Sequence, residues 1–189
     1  LPDGFKVMFA GNVGEAQDFD SIVEAVKMID DEENIKFIIV GSGRKQAWVE
    51  KQIEKFGLQN KIKMMGRYPA SDMAAFFYQA DALLVTLKDD LLFSLTVPAK
   101  VQSYMAVGKP ILAMINGAGN DLINAVGCGV AVSASDPVTL VKEIRKMKNR
   151  SQAERDDMGK RGKIYYESYF EKEKCLDKLY QLLSRDIRC

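Results

Sequence analysis

Residues 96–113 read TVPAKVQSYMAVGKPILA, and this stretch guides our interpretation of the rest of the chain. Pro98 fits the first turn of a helix, Gly108 fits the end of that helix, and Pro110 opens a short apolar run typical of a buried strand. A helix that starts Thr-x-Pro-x-Lys presents unpaired backbone N–H groups, a hydroxyl and the ammonium of Lys100 on one side. Because these groups suit a phosphate, the stretch predicts an anion site at the start of a helix.

Lys100 carries the clearest functional signal in this stretch. A positive charge in the first turn of a helix is unfavourable next to the helix dipole unless an anion offsets it. We expect Lys100 to be an exposed side chain that contributes to ligand affinity rather than to core packing.

A strand followed by a helix recurs on both sides of this stretch. Short apolar runs predict six strands, near residues 6–10, 36–40, 62–65, 82–87, 111–114 and 129–132. Segments with helical spacing follow them, and residues 88–95 are expected to form a loop. Nearly continuous apolar strands require helices on both faces of the sheet. We therefore predict a doubly wound, Rossmann-like parallel α/β sheet over residues 1–149, with a helical tail over residues 150–189 packed on it.

Several polar residues stand where helices should begin. The predicted caps are Ser21 with Glu24, Ser71, Asp136 before Pro137, and Ser151 with Glu154. Asp18 and Asp20 have the spacing of a metal-chelating pair, but their place before a helix favours capping.

Composition excludes several classes of function. The 189 residues carry a net charge of +1, so no strong field would attract nucleic acid or an anionic membrane. The chain has no histidine, which excludes mechanisms that need one from this chain. Cys128, Cys175 and Cys189 are far apart and odd in number, which favours a reducing cytoplasm over disulfides or zinc. No apolar run is long enough for a membrane span, and no signal peptide is recognisable.

Ligands of open parallel sheets bind beyond the carboxyl ends of the strands. Gly41-Ser-Gly43 follows the second strand, but Gln46 stands where a dinucleotide fingerprint needs glycine, so a simple turn is equally compatible. Gly11-Asn-Val-Gly14 follows the first strand and lies nearer the predicted switch point. Arg67 could reach a phosphate or remain a solvated side chain. Asp89 and Asp90 could accept from sugar hydroxyls or merely be solvated.

These residues resemble a known family. The supporting stretches are residues 9–14 (FAGNVG), 39–43 (IVGSG), 65–69 (MGRYP), 80–85 (ADALLV), 96–110, and 158–162 (MGKRG). Over nearly its whole length the chain resembles the C-terminal, donor-binding domain of a GT-B-fold retaining glycosyltransferase of group 1 (family 4-like). The branch that it resembles builds bacterial capsules and O-antigens and includes fucosamine-transferase-like enzymes.

The resemblance implies transfer of a sugar, with retention, from a nucleoside diphosphate sugar, usually a UDP-sugar, without a metal or another cofactor. The catalytic residue is not identified. The implied diphosphate contacts are Thr96, Val97, Ala99, Lys100, Gly11, Asn12 and Gly14. The implied base and ribose contacts are Gly41, Gly43, Arg67, Tyr68, Pro69 and Ser103. The implied donor-sugar contacts are Asp89, Asp90 and Leu95.

Some positions depart from the family pattern. Many members hold two glutamates at the positions of Leu95 and Ser103, for the donor sugar and the ribose. The first loop often supplies an arginine and a lysine to the phosphates, where this chain has Asn12 and, most nearly, Gln17. The diphosphate contact should therefore depend more on Lys100.

The chain begins Leu-Pro-Asp-Gly and enters a strand at once, so we expect an excised part of a longer protein that lacks its N-terminal acceptor domain. Such a fragment should bind its donor without turnover and meet the membrane only through the full-length enzyme. Two alternatives stay open, namely a non-catalytic nucleotide-sugar-binding module and a sugar-nucleotide epimerase of the same fold.

Overall fold

A computed structural model of the chain describes residues 1–186, so Cys189 lies outside the described part. The strands are β1 Phe5–Ala10, β2 Ile35–Val40, β3 Ile62–Gly66, β4 Ala82–Thr86, β5 Ile111–Met114 and β6 Gly129–Val132. The helices are α1 Phe19–Lys27, α2 Gln46–Lys55, α3 Met73–Gln79, α4 Leu91–Ser94, α5 Ala99–Val107, α6 Ala118–Val126, α7 Pro137–Asn149, α8 Gln152–Tyr169 and α9 Lys172–Asp186.

The six strands form one parallel sheet in the order β3-β2-β1-β4-β5-β6. The chain builds outward from β1 in one direction and then returns to β4 on its other side. The order therefore reverses between β1 and β4, which is where a doubly wound sheet opens a crevice. The predicted doubly wound α/β fold is confirmed.

Apolar side chains fill both faces of the sheet. Helices α1, α2 and α7 pack on one face, against alternate strand residues that include Phe9, Phe37 and Met114. Helices α3, α5, α6 and the later part of α8 pack on the other face, against the residues in between, such as Met8, Val85 and Ala113. Met158, near the start of α8, belongs to the core of the first face. Since both faces are covered, the strands are apolar nearly throughout, as the sequence indicated.

Strands β1 and β4 separate at their carboxyl ends, and Tyr104 of α5 fills the gap. β1 pairs with β2 as far as Ala10, but its pairing with β4 ends at Met8 and Leu83. The buried Tyr104 hydroxyl accepts from the Ala10 N–H at 3.0 Å and donates to the Ala10 carbonyl at 3.3 Å. This side chain therefore satisfies the backbone groups that β4 leaves unpaired and fixes α5 against the end of β1.

Replacing Tyr104 by phenylalanine should lower the free energy of unfolding by about 2 kcal/mol, because the buried Ala10 N–H and carbonyl lose their partner. For a domain of this size that corresponds to about 4–8 °C in Tm. Tyr165→Phe is a suitable control, since Tyr165 packs in the same cluster and its hydroxyl makes no hydrogen bond within residues 1–186. Equal melting temperatures of the two variants in thermal unfolding would contradict the role of the Tyr104 hydroxyl.

Most predicted helix boundaries agree with the structure, and four predicted features were wrong. Asp136 caps α7 with Pro137 next to it, and Ser151 with Glu154 forms the capping box of α8. The expected box of Ser21 with Glu24 is absent, because α1 begins earlier and Asp18 caps it by accepting from the Ser21 N–H.

The other three corrections concern the loops after β3 and β4 and the start of α5. Ser71 does not cap α3, because a 3₁₀ turn over Ala70–Asp72 precedes that helix. The expected loop over residues 88–95 contains the short helix α4, which the Asp90 side chain caps by accepting from the Leu92 N–H. Pro98 is the N-cap residue of α5 rather than a member of its first turn.

The two C-terminal helices differ in how they pack. Helix α8 buries Met158, Gly159 and Gly162, and a Cβ on Gly159 would lie 2.0 Å from the Gly108 carbonyl oxygen at the end of α5. The apolar residues of α9, by contrast, are about half exposed or more, namely Leu176, Leu179, Tyr180, Leu182 and Leu183. Packing of the whole tail on the sheet domain stays a prediction, and within the described residues this stripe of α9 is exposed. Among residues 1–186, no helix is long and apolar enough to cross a membrane.

Candidate functional site

The loops that follow β1 and β2 touch each other at the mouth of the crevice. Gly41 has a φ of +142°, and a Cβ there would lie 1.8 Å from the Gly11 carbonyl oxygen. Backbone hydrogen bonds from Gly11 to Val40 and from Val13 to Ser42 hold the loops together. Glycine at position 41 is therefore required by backbone contact, and together the two loops form one wall of the site.

The Lys100 side chain extends from the first turn of α5 into the crevice between β1 and β4. Its ammonium donates to the Gln17 side-chain oxygen at 2.5 Å and lies 3.7 Å from the centroid of the Phe9 ring. A Cβ on Gly11 would lie 2.7 Å from the Lys100 Cε, so the loop after β1 covers the side chain closely. The expectation of an exposed lysine was wrong, because distant residues enclose its aliphatic part and its ammonium.

Lys100 differs from the two other lysines near the loop after β1. The buried ammonium of Lys45 forms an ion pair with Asp20, and the Lys88 ammonium lies 3.3 Å from a Glu15 carboxylate oxygen. Lys100 forms no ion pair with any residue in the described part of the chain. Burial lowers the pKa of the Lys100 ammonium to about 7. An enclosed cation with a neutral partner is suited to bind an anion from solution.

A cleft of about 460 Å³ lies beside this wall, at the carboxyl ends of β1, β2 and β3. Its lining residues are Gly11, Asn12, Val40, Gly41, Ser42, Gly43, Arg67, Tyr68 and Met73. The Tyr68 ring packs edge-on against Phe76 at 4.6 Å between centroids, while Arg67 stays exposed at the rim. The cleft offers backbone, a partly exposed ring and a guanidinium, which together can bind a flat base and its ribose.

The loop after β4 forms the other rim of the crevice. Asp89 accepts from the Asn116 side-chain amide at 2.8 Å, and Asp90 caps α4. Leu91, Leu92 and Leu95 are 73%, 73% and 67% exposed. A Cβ on Gly117 would lie 2.0 Å from the Ser94 carbonyl oxygen, so this loop also packs tightly on the start of α6.

The structure brings some of the implied contacts together and leaves others apart. Gly11, Asn12, Gly41, Gly43, Arg67 and Tyr68 line one cleft, and Lys100 lies under Gly11. Gly14 is buried, and Pro69 is exposed outside the cleft lining. Thr96 and Val97 precede α5, and Ala99 is its first residue. Ser103 is exposed, and its hydroxyl donates to the Ala99 carbonyl at 3.0 Å.

Three lining residues were not predicted from the sequence. Val40 and Ser42 flank Gly41 in the cleft lining. The change from an apolar run to glycine marked this loop in the sequence, and it could have indicated both neighbours. Met73 gave no such signal, because it begins a helix whose apolar face was assigned to the core. Phe9 was part of a recognised stretch, but nothing in the sequence indicated that its ring lies beneath the ammonium of Lys100.

Two curated relatives share sequence with this chain. One, from Pseudomonas aeruginosa, is named a probable glycosyltransferase, WbjE, and is 31% identical over 141 residues, which cover 72% of this chain and 34% of the relative. The other is WcaI of Escherichia coli strain K12, named for glycosyl transfer in colanic acid biosynthesis. It is 34% identical over 110 residues, which cover 57% of this chain and 26% of the relative. The chain thus spans about a third of one relative and a quarter of the other.

The fold is shared with solved glycosyltransferases. Anabaena HepE, crystallised with UDP, superimposes with a TM-score of 0.82 at 16% identity, over 96% of this chain and 49% of HepE. This likeness confirms the Rossmann-like α/β fold of the chain. The family model described as "Glycosyl transferases group 1" matches residues 2–165, which is most of the sequence. The chain therefore belongs to the group 1 glycosyl transferase family.

Proposed function

We propose that this chain is the donor-binding half of a longer glycosyltransferase, and that it binds a nucleoside diphosphate sugar, most suitably a UDP-sugar. One observation carries the proposal, namely the enclosed ammonium of Lys100, which has no acidic partner within residues 1–186. This ammonium lies where the strand order reverses, beside a cleft large enough for a nucleotide base. The UDP bound in HepE, which shares this fold, supports the choice of nucleotide.

The proposed binding mode divides the nucleotide among three parts of the site. The base and ribose occupy the cleft lined by Gly41, Arg67 and Tyr68. The diphosphate lies at the start of α5, where Lys100 and the free N–H groups of the first turn face it. The donor sugar extends toward the loop that contains Asp89 and Leu95.

This arrangement assigns a chemical role to Lys100. When the glycosidic bond to the diphosphate breaks, negative charge develops on the leaving phosphate oxygen. A preorganised ammonium in a partly dehydrated crevice stabilises that charge more strongly than water does. We propose that transfer proceeds with retention and that the acceptor binds to a separate N-terminal domain.

The acceptor class is part of the same proposal. The name of WcaI refers to colanic acid biosynthesis. We propose that the acceptor of this enzyme is likewise a cell-surface polysaccharide or a lipid-linked precursor. The resemblance of residues 96–110 to capsule and O-antigen enzymes of the fucosamine-transferase-like type points the same way. We place the enzyme in the cytoplasm, where nucleotide sugars are available, with membrane contact through its other domain.

Thermal unfolding with added nucleotide tests the proposed function. UDP at about one hundred times its Kd should stabilise the domain by about 2.7 kcal/mol, which corresponds to about 5–10 °C in Tm. Uridine should give a much smaller shift, because it lacks the diphosphate. An unchanged Tm at millimolar UDP and UDP-sugar, with the domain folded, would count against donor binding.

A non-catalytic nucleotide-sugar-binding module is the second candidate, and a specific observation favours it. Leucine and serine occupy the two positions where the family pattern implies glutamates, and the Ser103 hydroxyl is engaged by its own helix. The two candidates differ in turnover by the full-length gene product. Hydrolysis or transfer of a UDP-sugar would eliminate the non-catalytic module, whereas tight binding without either would support it.

A further inference from the structure

The Gln17 side chain is the one hydrogen-bonding group that contacts the ammonium of Lys100 within residues 1–186. Lys100 Nζ and Gln17 Oε1 are 2.5 Å apart across 83 positions of sequence. An ammonium can only donate, so the amide oxygen rather than the amide nitrogen must face it. The contact therefore fixes both the place of the ammonium and the orientation of the glutamine.

The backbone of Gln17 is itself fixed from the opposite side of the crevice. Gln17 ends a 3₁₀ turn over Glu15–Gln17, and the hydroxyl of the buried Thr86 donates to its carbonyl at 2.6 Å. Thr86 is the last residue of β4, while Lys100 extends from α5 over the Phe9 ring of β1. Gln17 thus connects the end of β4 to the ammonium at the carboxyl ends of β1 and β4, where these strands no longer pair.

The chemistry of an amide matters at this position. A carboxylate would hold the ammonium equally well, but it would neutralise the charge that an incoming anion needs. A neutral amide oxygen restricts the ammonium while leaving its net charge available. The paired lysines nearby show the contrast, because Lys45 and Lys88 face carboxylates.

We propose that Gln17 is a positioning residue for Lys100, which holds the ammonium at the diphosphate site without neutralising it. This inference rests on the proposed donor binding. Gln17 acts through the lysine and not through a contact of its own with the ligand, which makes the proposal testable by combining substitutions.

Two substitutions of Gln17 test the proposal first, with UDP and uridine affinities measured by titration calorimetry. Gln17→Leu should weaken UDP binding about tenfold, the size expected when one hydrogen bond to a charged group is lost. Uridine binding should not change, because uridine lacks the phosphates. Gln17→Glu should also weaken UDP binding at least about tenfold, although it keeps the hydrogen bond, because the carboxylate cancels the charge of Lys100.

The decisive comparison adds Gln17→Leu to Lys100→Met. Two residues that act as one unit give non-additive effects, so the second substitution should change the UDP affinity less than twofold in the Lys100→Met background. A further tenfold loss in that background would overturn the positioning role, as would wild-type UDP affinity in Gln17→Leu. Failure of the wild-type chain to bind UDP would instead refute the proposed function, so the two failures are distinguishable.

Discussion

Lys100→Met should weaken UDP binding about 30-fold, because in the proposed binding mode the variant loses a charge-assisted hydrogen bond to the diphosphate in an enclosed site. Methionine keeps most of the aliphatic length over Phe9, so packing changes little. Burial of the ammonium already opposes its charged form, so its removal should leave Tm unchanged or raise it slightly. Titration calorimetry and thermal unfolding measure the two effects separately.

Lys88→Met is the matched control for this substitution. Lys88 belongs to the same edge of the sheet and approaches the same loop, but its ammonium lies beside Glu15. Its removal should change UDP affinity less than about threefold, the range expected for an exposed ion pair. Equal losses in the two variants would show that the effect reflects general electrostatics rather than a diphosphate site at Lys100.

UDP binding should also take up a proton through Lys100. The pKa of this ammonium is about 7 in the free domain, so at pH 8 most of the side chain is neutral and must be protonated to face the diphosphate. The β-phosphate is already fully ionised at that pH. Calorimetry in buffers of different ionisation enthalpy should detect uptake by the wild type and none by Lys100→Met. Equal uptake by both proteins would contradict the assignment.

The same lowered pKa affects stability with a defined sign. An unfolded chain keeps the lysine protonated at pH values where the folded domain has released the proton, so stability rises with pH from about 7 toward the ordinary lysine range. Below pH 7 the lysine is charged in both states and its unfavourable burial persists. This contribution to the pH dependence should be missing in Lys100→Met.

Gly41→Ala should lower the free energy of unfolding by about 3 kcal/mol or more, because a Cβ at this position collides with backbone and the residue holds a strained φ. The nearest atoms are the Gly11 carbonyl oxygen at 1.8 Å and the Gly11 carbonyl carbon at 2.8 Å, neither of which can rotate away. The loops after β1 and β2 must separate, which opens the wall above Lys100. We therefore expect a large loss of UDP affinity together with the loss of stability.

Gly57→Ala is the matched control, because it introduces a side chain at a positive φ without a collision between the new Cβ and the backbone. Gly57 also has a positive φ, of +65°, but a Cβ there would have no neighbouring atom within 4 Å. Its replacement should cost about 1 kcal/mol and leave UDP binding intact. If urea unfolding gave the two variants equal stabilities, the close approach of Gly41 to Gly11 would not be a determinant of the fold.

The sequence predicted the fold well because the determinants of the sheet are local. Apolar runs of four to six residues, each followed by helical spacing, identified all six strands within about one residue of their positions in the structure. The exceptions were equally local. The capping expected of Asp18 is confirmed, whereas the box of Ser21 with Glu24 is absent. Helix α4 was missed because four residues are too few to show helical spacing.

The site was predictable only in part, because burial depends on residues that are distant in sequence. The start of α5 was chosen as a candidate from its own chemistry, and the loop glycines were chosen from their positions after the strands. The enclosure of Lys100 was not predicted, because it requires the Phe9 ring of β1 and the Gln17 amide from the loop after β1. Ser103 was assigned from the family pattern alone, and the structure leaves it outside the cleft lining.

A crystal structure of the domain with UDP tests the central claim most directly. The proposed binding mode predicts a diphosphate oxygen at about 2.8 Å from Lys100 Nζ, the spacing of a charge-assisted hydrogen bond. It also predicts that the uracil lies in the cleft bounded by Gly41, Arg67 and Tyr68. A diphosphate bound away from the start of α5, with Lys100 still held only by Gln17, would contradict the account.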